Sequence, residues 1–386
     1  MNSKIPVLLS YAFRPFFLLN GIFAILIVPA WVMTLHGTGF LLVTPLWHSH
    51  EMLIGFAMAA VAGFSLTAVA NWTGRPALHG APLAWLLMSW LVGRLAMLSS
   101  GFIPANLLFL LDMLFPVLLY VLLGREIIGG RSKRNYPLIT ITAVVVILNI
   151  LYHLGNNQWV QGGDRLAIYL LIHTVLLLVT IIAGRIIPSF TGNWLGKQGK
   201  ASMPVDTDGI NRLALLLTVL VGLAAGFMPV HPLTTMLAFA AALVHGFRLG
   251  RWKGFATRSN PLLFVLHVAY AWIPFGYFLL GCASIGWFFT PTAALHALTM
   301  GAIGSSILAV TTRVALGHTG RPLQAARATV MAYWIFMLAG LIRVLGPLTG
   351  KNYLLIVDFS ALGWMMAFAI FTWVYWPILT RPRIDH

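Results

Sequence analysis

Apolar runs of about 20 residues, each closed by glycine, proline or a polar cluster, recur from one end of the chain to the other. In an α-helix, a run of about that length crosses the hydrocarbon core of a bilayer. The pattern predicts twelve helices, near 17–36, 46–71, 82–101, 104–124, 138–155, 165–187, 210–229, 232–249, 262–286, 291–315, 325–345 and 352–378. Turn-forming clusters such as Asn71–Gly80, Gly129–Pro137, Gly192–Asp208 and Gly250–Pro261 separate them. No connection is long enough to divide domains. Residues 1–386 therefore read as a single membrane domain, an all-α polytopic membrane protein with twelve transmembrane helices.

Charge adds an orientation. Arg125, Arg131, Lys133 and Arg134 follow helix 4, Lys197 and Lys200 follow helix 6, and Arg251, Lys253 and Arg258 follow helix 8. Arg75, Arg321 and Arg327 follow helices 2 and 10, whereas the loops after helices 1, 3, 7 and 9 hold no Lys or Arg. The positive-inside rule then places both termini in the cytoplasm.

Composition agrees: 60% of residues are hydrophobic and 8% are charged, against roughly 25% charged in soluble domains. Mean hydropathy is +0.90. The net charge of +16 sits in short interhelical loops, where it orients the chain, so nucleic acid is not an expected partner. The single cysteine, Cys282, supports neither a disulfide framework nor a thiolate zinc site. Neither a Walker lysine loop nor a dinucleotide glycine fingerprint is present, which argues against an ATP-driven pump or a flavin dehydrogenase. The N-terminus shows no signal-peptide cleavage pattern, and the first apolar stretch, after Arg14, is long enough to stay as a membrane helix.

Two segments echo each other. An offset of 246 residues carries His50–Pro76 onto His296–Pro322, matching the histidine, Gly55 with Gly301, and the TGRP tail. The same offset carries Asp112 of helix 4 onto Asp358 of helix 12. Helices 1–4 and 9–12 thus read as two copies of a four-helix unit with helices 5–8 as a third, giving units 1–130, 131–256 and 257–386. Half the offset lands on His173 of helix 6. On this topology His50, His173 and His296 each lie roughly 8–12 Å inside the outer helix end, at about 1.5 Å per residue.

Ionisable residues inside membrane spans mark candidate sites. A lone histidine there reads first as a polar helix contact. Three at similar depth, two with matching flanks, favour a metal centre, because neutral imidazole ligates haem iron and copper. His48 is a further metal candidate if it lies in the loop before helix 2, and an interfacial residue otherwise; His231 is comparable. Glu51 is placed for proton delivery, metal ligation or hydrogen bonding to a ligating histidine, with hydration at the interface as the alternative. Asp112 and Asp358 are expected to pair with Arg94 and Arg343 on the preceding helices. His36 and His153 read as solvated helix-end residues, His245 and His267 as packing or interfacial residues, and His318 as part of a loop. Thr73-Gly74, Thr191-Gly192 and Thr319-Gly320 read as loop steps that fix helix ends and bind lipid headgroups.

FRPFFLL at 13–19, LWHSHEMLIGF at 46–56, AVANWTGRP at 68–76, GRIIPSFTGN at 184–193, NPLLFVLH at 260–267, LHALTMGAIG at 295–304 and LAVTTRVALGHTGRPL at 308–323 together resemble the NnrS family. That resemblance implies a haem- and copper-containing protein of the bacterial inner membrane, linked to nitric oxide metabolism, nitrosative-stress resistance and denitrification. The architecture is also similar to the catalytic subunit of haem-copper oxidases and nitric oxide reductases. There, helices 2 and 10 supply haem ligands and helix 6 a ligand of the second metal, which maps onto His50, His296 and His173. Helix 7, Asn211–Val230, lacks the paired histidines of those enzymes, a departure from their binuclear centre. The expectation is a haem b protein, with copper as a possible second metal, that binds nitric oxide and reduces it with Glu51 as proton donor. A quinol or cytochrome would supply electrons. The competing classes are a non-enzymatic haem or copper sensor or metal-centre protection protein, and a secondary transporter.

Overall fold

The computed structural model describes residues 6–39, 43–200, 204–205, 207–350 and 352–384. Among them every regular element is helical, and twelve helices are long and apolar enough to cross a membrane. They are α1 (Phe13–Leu35), α2 (Pro45–Thr73), α3 (Ala81–Leu98), α4 (Ala105–Gly129), α5 (Lys133–Asn156) and α6 (Gly163–Lys197). There follow α7 (Asp208–Phe227), α8 (Pro232–Arg251), α9 (Pro261–Ser284), α10 (Pro291–His318), α11 (Arg327–Thr349) and α12 (Tyr353–Thr380). The chain is a multi-pass membrane protein.

Contacts within the chain define two compact units. The first comprises Met1–Leu171, Thr311–Pro322 and Phe368–His386, and the second Ile172–Val310 and Leu323–Ala367. The threefold division into four-helix units remains a proposal from the sequence.

Helix boundaries follow local chemistry. α2 and α10 both start on a threonine cap with proline at the first helical position, where its missing N–H is no loss. Thr44 Oγ1 accepts from the Trp47 N–H (3.0 Å) and Thr290 Oγ1 from the Ala293 N–H (3.2 Å). Both helices then switch from α to π geometry directly after the histidine, over Glu51–Ala57 and Ala297–Gly304, and return to α. The two echoing segments therefore share cap, histidine and π segment at the same offset. They are also the two most enclosed spans, 78% and 72% buried over their most apolar windows. α2 ends on Gly74, whose φ of 68° is readily adopted by a residue without Cβ.

Three boundaries differ from the sequence reading. α1 starts at Phe13 and takes in Arg14, which is buried and donates from Nη1 to the carbonyls of Leu379 (2.8 Å) and Arg381 (2.7 Å). The guanidinium thereby serves the C-terminal end of α12, where unsatisfied carbonyls favour a cation. α6 runs on through Pro188 to Lys197, so Thr191-Gly192 is helical rather than a loop step. Thr191 Oγ1 instead hydrogen-bonds His267 Nε2 (2.9 Å). His318 closes α10 rather than standing in a loop, with its ring 5.6 Å from that of Phe13.

Candidate metal centre

The first unit gathers buried acids, bases and amides from α2, α3, α4 and α5. On a regular helix, sequence neighbours project in different directions. Here the helix passes from α to π geometry between His50 and Glu51, and their side chains meet: His50 Nδ1 lies 3.0 Å from Glu51 Oε1. The wider π turn also turns carbonyls outward, as such segments do at functional sites. Trp90 Nε1 donates to the Gly55 carbonyl (2.9 Å), and Asn20 Nδ2 to that of Phe56. Gly55 gives Arg94 its path, since a Cβ there would stand 3.1 Å from Arg94 Cδ.

Arg94 bridges the two acids, donating from Nη1 to Glu51 Oε1 and from Nη2 to Asp112 Oδ1. The expected Arg94–Asp112 pair forms, extended to Glu51. In the second unit Arg343 donates instead to the Tyr353 hydroxyl (2.9 Å), a phenol in place of the expected Asp358. The other oxygen of Asp112, Oδ2, receives Asn149 Nδ2 (2.7 Å) and lies 2.9 Å from His153 Nε2 and 3.2 Å from His50 Nε2. Asn149 Oδ1 stands 2.8 Å from His50 Nε2, and the Tyr152 ring stacks on the His50 imidazole at 4.4 Å.

His50, Asp112 and His153 can each turn a ligand atom to one point, all within 4.8 Å of one another. Ligands held about 2.0–2.1 Å from a metal ion in a tetrahedron stand roughly 3.3 Å apart. The observed separations of 3.2 and 2.9 Å from Asp112 to the two imidazoles are close to that edge. Glu51 and Asp112 face one guanidinium, and both ring nitrogens of His50 face acceptor oxygens, so an imidazolium balances the second acid; a bound cation would take the place of its Nε2 proton. Glu51 then takes the place of the carboxylate behind a ligating histidine, fixing the imidazole through Nδ1. Its Oε2 is buried and makes no hydrogen bond.

His153 and Asn149 were not predicted for this centre. His153 is 2% exposed, not solvated. Gly155, which carries no Cβ, lets the backbone at Gly163 and Asp164 close over the end of α5. The signal available in the sequence is the spacing Asn149–His153, four residues apart on one helical face directly after the helix of Asp112.

The remaining predicted residues lie elsewhere. The His48 ring stacks on Trp31 at 5.0 Å. His173 belongs to the second unit, 4% exposed, with its ring 6.0 Å from Tyr277 and Gly222 against its Cβ. His296, also in the second unit, sets Nδ1 2.8 Å from the Thr292 carbonyl one turn back. That bond places a proton on Nδ1.

Fold and site together define a polytopic helical membrane protein with a buried histidine–carboxylate centre suited to a metal cation. The NnrS protein family matches residues 7–383, and the chain belongs to it. This membership is consistent with a nitric-oxide-related membrane protein. Comparison with curated proteins gives no match.

Proposed function

We propose that the protein binds nitric oxide within the bacterial inner membrane and reduces it, using a metal ion held by His50, Asp112 and His153. The observation that carries this reading is the closure of two imidazoles and one carboxylate around a single point inside a fully buried cluster. Such an N/O donor set suits copper among other first-row metals. Copper or haem iron, when bound, supplies one-electron chemistry and a coordination position for nitric oxide.

The two expected cofactors divide between the two leading histidines. In front of His50 Nε2 stand Asn149 Oδ1 and Asp112 Oδ2, at 2.8 and 3.2 Å. These oxygens would share a small ion with His50, and they occupy the side of Nε2 on which haem iron would have to bind. His296, its Nδ1 held by the Thr292 carbonyl, is the residue that would hold haem iron through Nε2. We therefore assign haem b to His296 and the small ion to the His50 centre.

Reduction joins two nitric oxide molecules and consumes electrons and protons. Glu51 Oε2, an acceptor with no partner beside the centre, is the group that would hold and pass a proton there. Arg94 and Asn149 fix the acids and do not titrate. A quinol or cytochrome remains the expected electron donor, and nitric oxide can arrive through the lipid.

Copper and haem quantification of the purified wild-type protein, alongside His50→Ala, His153→Ala and His296→Ala, tests this reading. Copper is expected to fall in the first two variants and the Soret band in the third. Anaerobic nitric oxide consumption with a supplied reductant then separates turnover from binding. Wild-type protein free of both copper and haem would sink the proposal and bring a transport function forward.

A further inference from the structure

The second unit contains a buried guanidinium of a different kind. Arg248, three residues before the end of α8, is 3% exposed. Its Nε donates to Asn211 Oδ1 (2.7 Å), and its Nη1 to the Thr180 carbonyl (3.2 Å) and the Tyr270 hydroxyl (2.9 Å). The Trp252 ring lies 4.9 Å from its Cζ. Every one of these partners is neutral, and among the described residues no carboxylate pairs with it. Removing a cation from water without a counter-charge is costly, and inside a membrane protein it marks function.

The hydrogen-bond directions around Arg248 are forced. A guanidinium only donates, so the Tyr270 hydroxyl accepts from it and must give its own proton to His245 Nδ1, 2.7 Å away. His245 Nε2 then carries its proton toward Thr218 Oγ1 (3.1 Å), and Thr218 donates to the Ala214 carbonyl (2.8 Å). With both nitrogens committed, His245 is neutral and adds no negative charge.

Two further donors sit in the same neighbourhood without acceptors. Trp252 Nε1 and Thr180 Oγ1 belong to fully buried residues and make no hydrogen bond. Trp252 touches the guanidinium through its ring, and Thr180 touches it through its own carbonyl. A positive charge lacking a counter-ion, beside polar hydrogens lacking acceptors, calls for a ligand that brings both.

We infer that Arg248, Trp252 and Thr180 form an oxyanion-binding site in the second unit. Three residues of helix correspond to about 4.5 Å, so the guanidinium lies close to the end of its span, within reach of a free oxyanion or of a lipid phosphate. A haem propionate at His296 is a poor match. α8 and α10 are separated by one span and so cross in the same direction, with Arg248 near the end of one and His296 near the start of the other.

Thermal unfolding of the delipidated full-length chain in neutral detergent tests the site, with sodium nitrite and phosphatidylglycerol as probes and phosphatidylcholine, whose phosphate is balanced by its own ammonium, as the net-neutral control. A concentration-dependent rise in Tm with nitrite identifies a free oxyanion. A rise with phosphatidylglycerol and not with phosphatidylcholine identifies the phosphate of a net-anionic lipid. In Arg248→Gln the half-saturating concentration of the active probe is expected to increase about tenfold or more, the usual weight of a charge-assisted hydrogen bond. No response to either probe overturns the inference, as does an equal response in Arg248→Gln. Should that variant fail to accumulate, Trp252→Phe decides: binding weakened several-fold supports the site, and unchanged binding overturns it.

Discussion

The two buried clusters use similar residues to opposite electrostatic ends. In the first unit Arg94 faces Glu51 and Asp112, two acids for one guanidinium, with two imidazoles beside Asp112. In the second unit Arg248 faces an amide, a carbonyl and a phenol, and the surplus is positive. On the readings proposed above, the first takes a cation and the second an anion. Of the other buried arginines among the described residues, Arg14 has its Nη1 taken by carbonyls at the end of α12 and Arg343 has its Nη2 taken by the Tyr353 hydroxyl. A buried arginine is therefore informative only when its partners are counted by charge.

The strongest way to break this comparison is to remove each guanidinium. Arg94→Met strands two buried carboxylates and is expected to cost about 3–5 kcal/mol of stability. Arg248→Met strands only neutral acceptors and should cost about 1–3 kcal/mol. Unfolding of both variants in detergent checks the pair, and equal losses would remove the contrast. At the first cluster, His153→Ala is expected to weaken copper binding by at least about 100-fold, read by titration of metal-free protein. Glu51→Gln, which keeps the shape and loses the charge behind His50, should weaken it about 10–100-fold. The smallest effect belongs to Tyr270→Phe, which breaks the relay from Arg248 to His245 and should cost about 0.5–1.5 kcal/mol. A larger loss there would show that the hydroxyl, not the charge, organises the second cluster.

Much of this was readable from the chain. Hydrophobic length gave all twelve spans, since few other arrangements satisfy the backbone in lipid. The Arg94–Asp112 pairing followed from the expense of an unpaired intramembrane charge. The equivalence of the His50 and His296 segments was visible as an offset and reappears as matching caps and π segments. His153 was hidden because its burial depends on the backbone closing beside Gly155, a tertiary event with no local pattern. Arg248 was hidden for another reason. Nothing in the local pattern singles it out, and only its tertiary neighbours show that it is enclosed.

The clamp formed by Arg14 also orders biosynthesis. Every ionisable group of the metal centre lies between residues 50 and 153, so acids and bases enter the membrane within one continuous stretch of translation and can neutralise one another early. The carbonyls that Arg14 holds belong to Leu379 and Arg381. The unit that houses the candidate metal centre therefore closes only after residue 381 has been made.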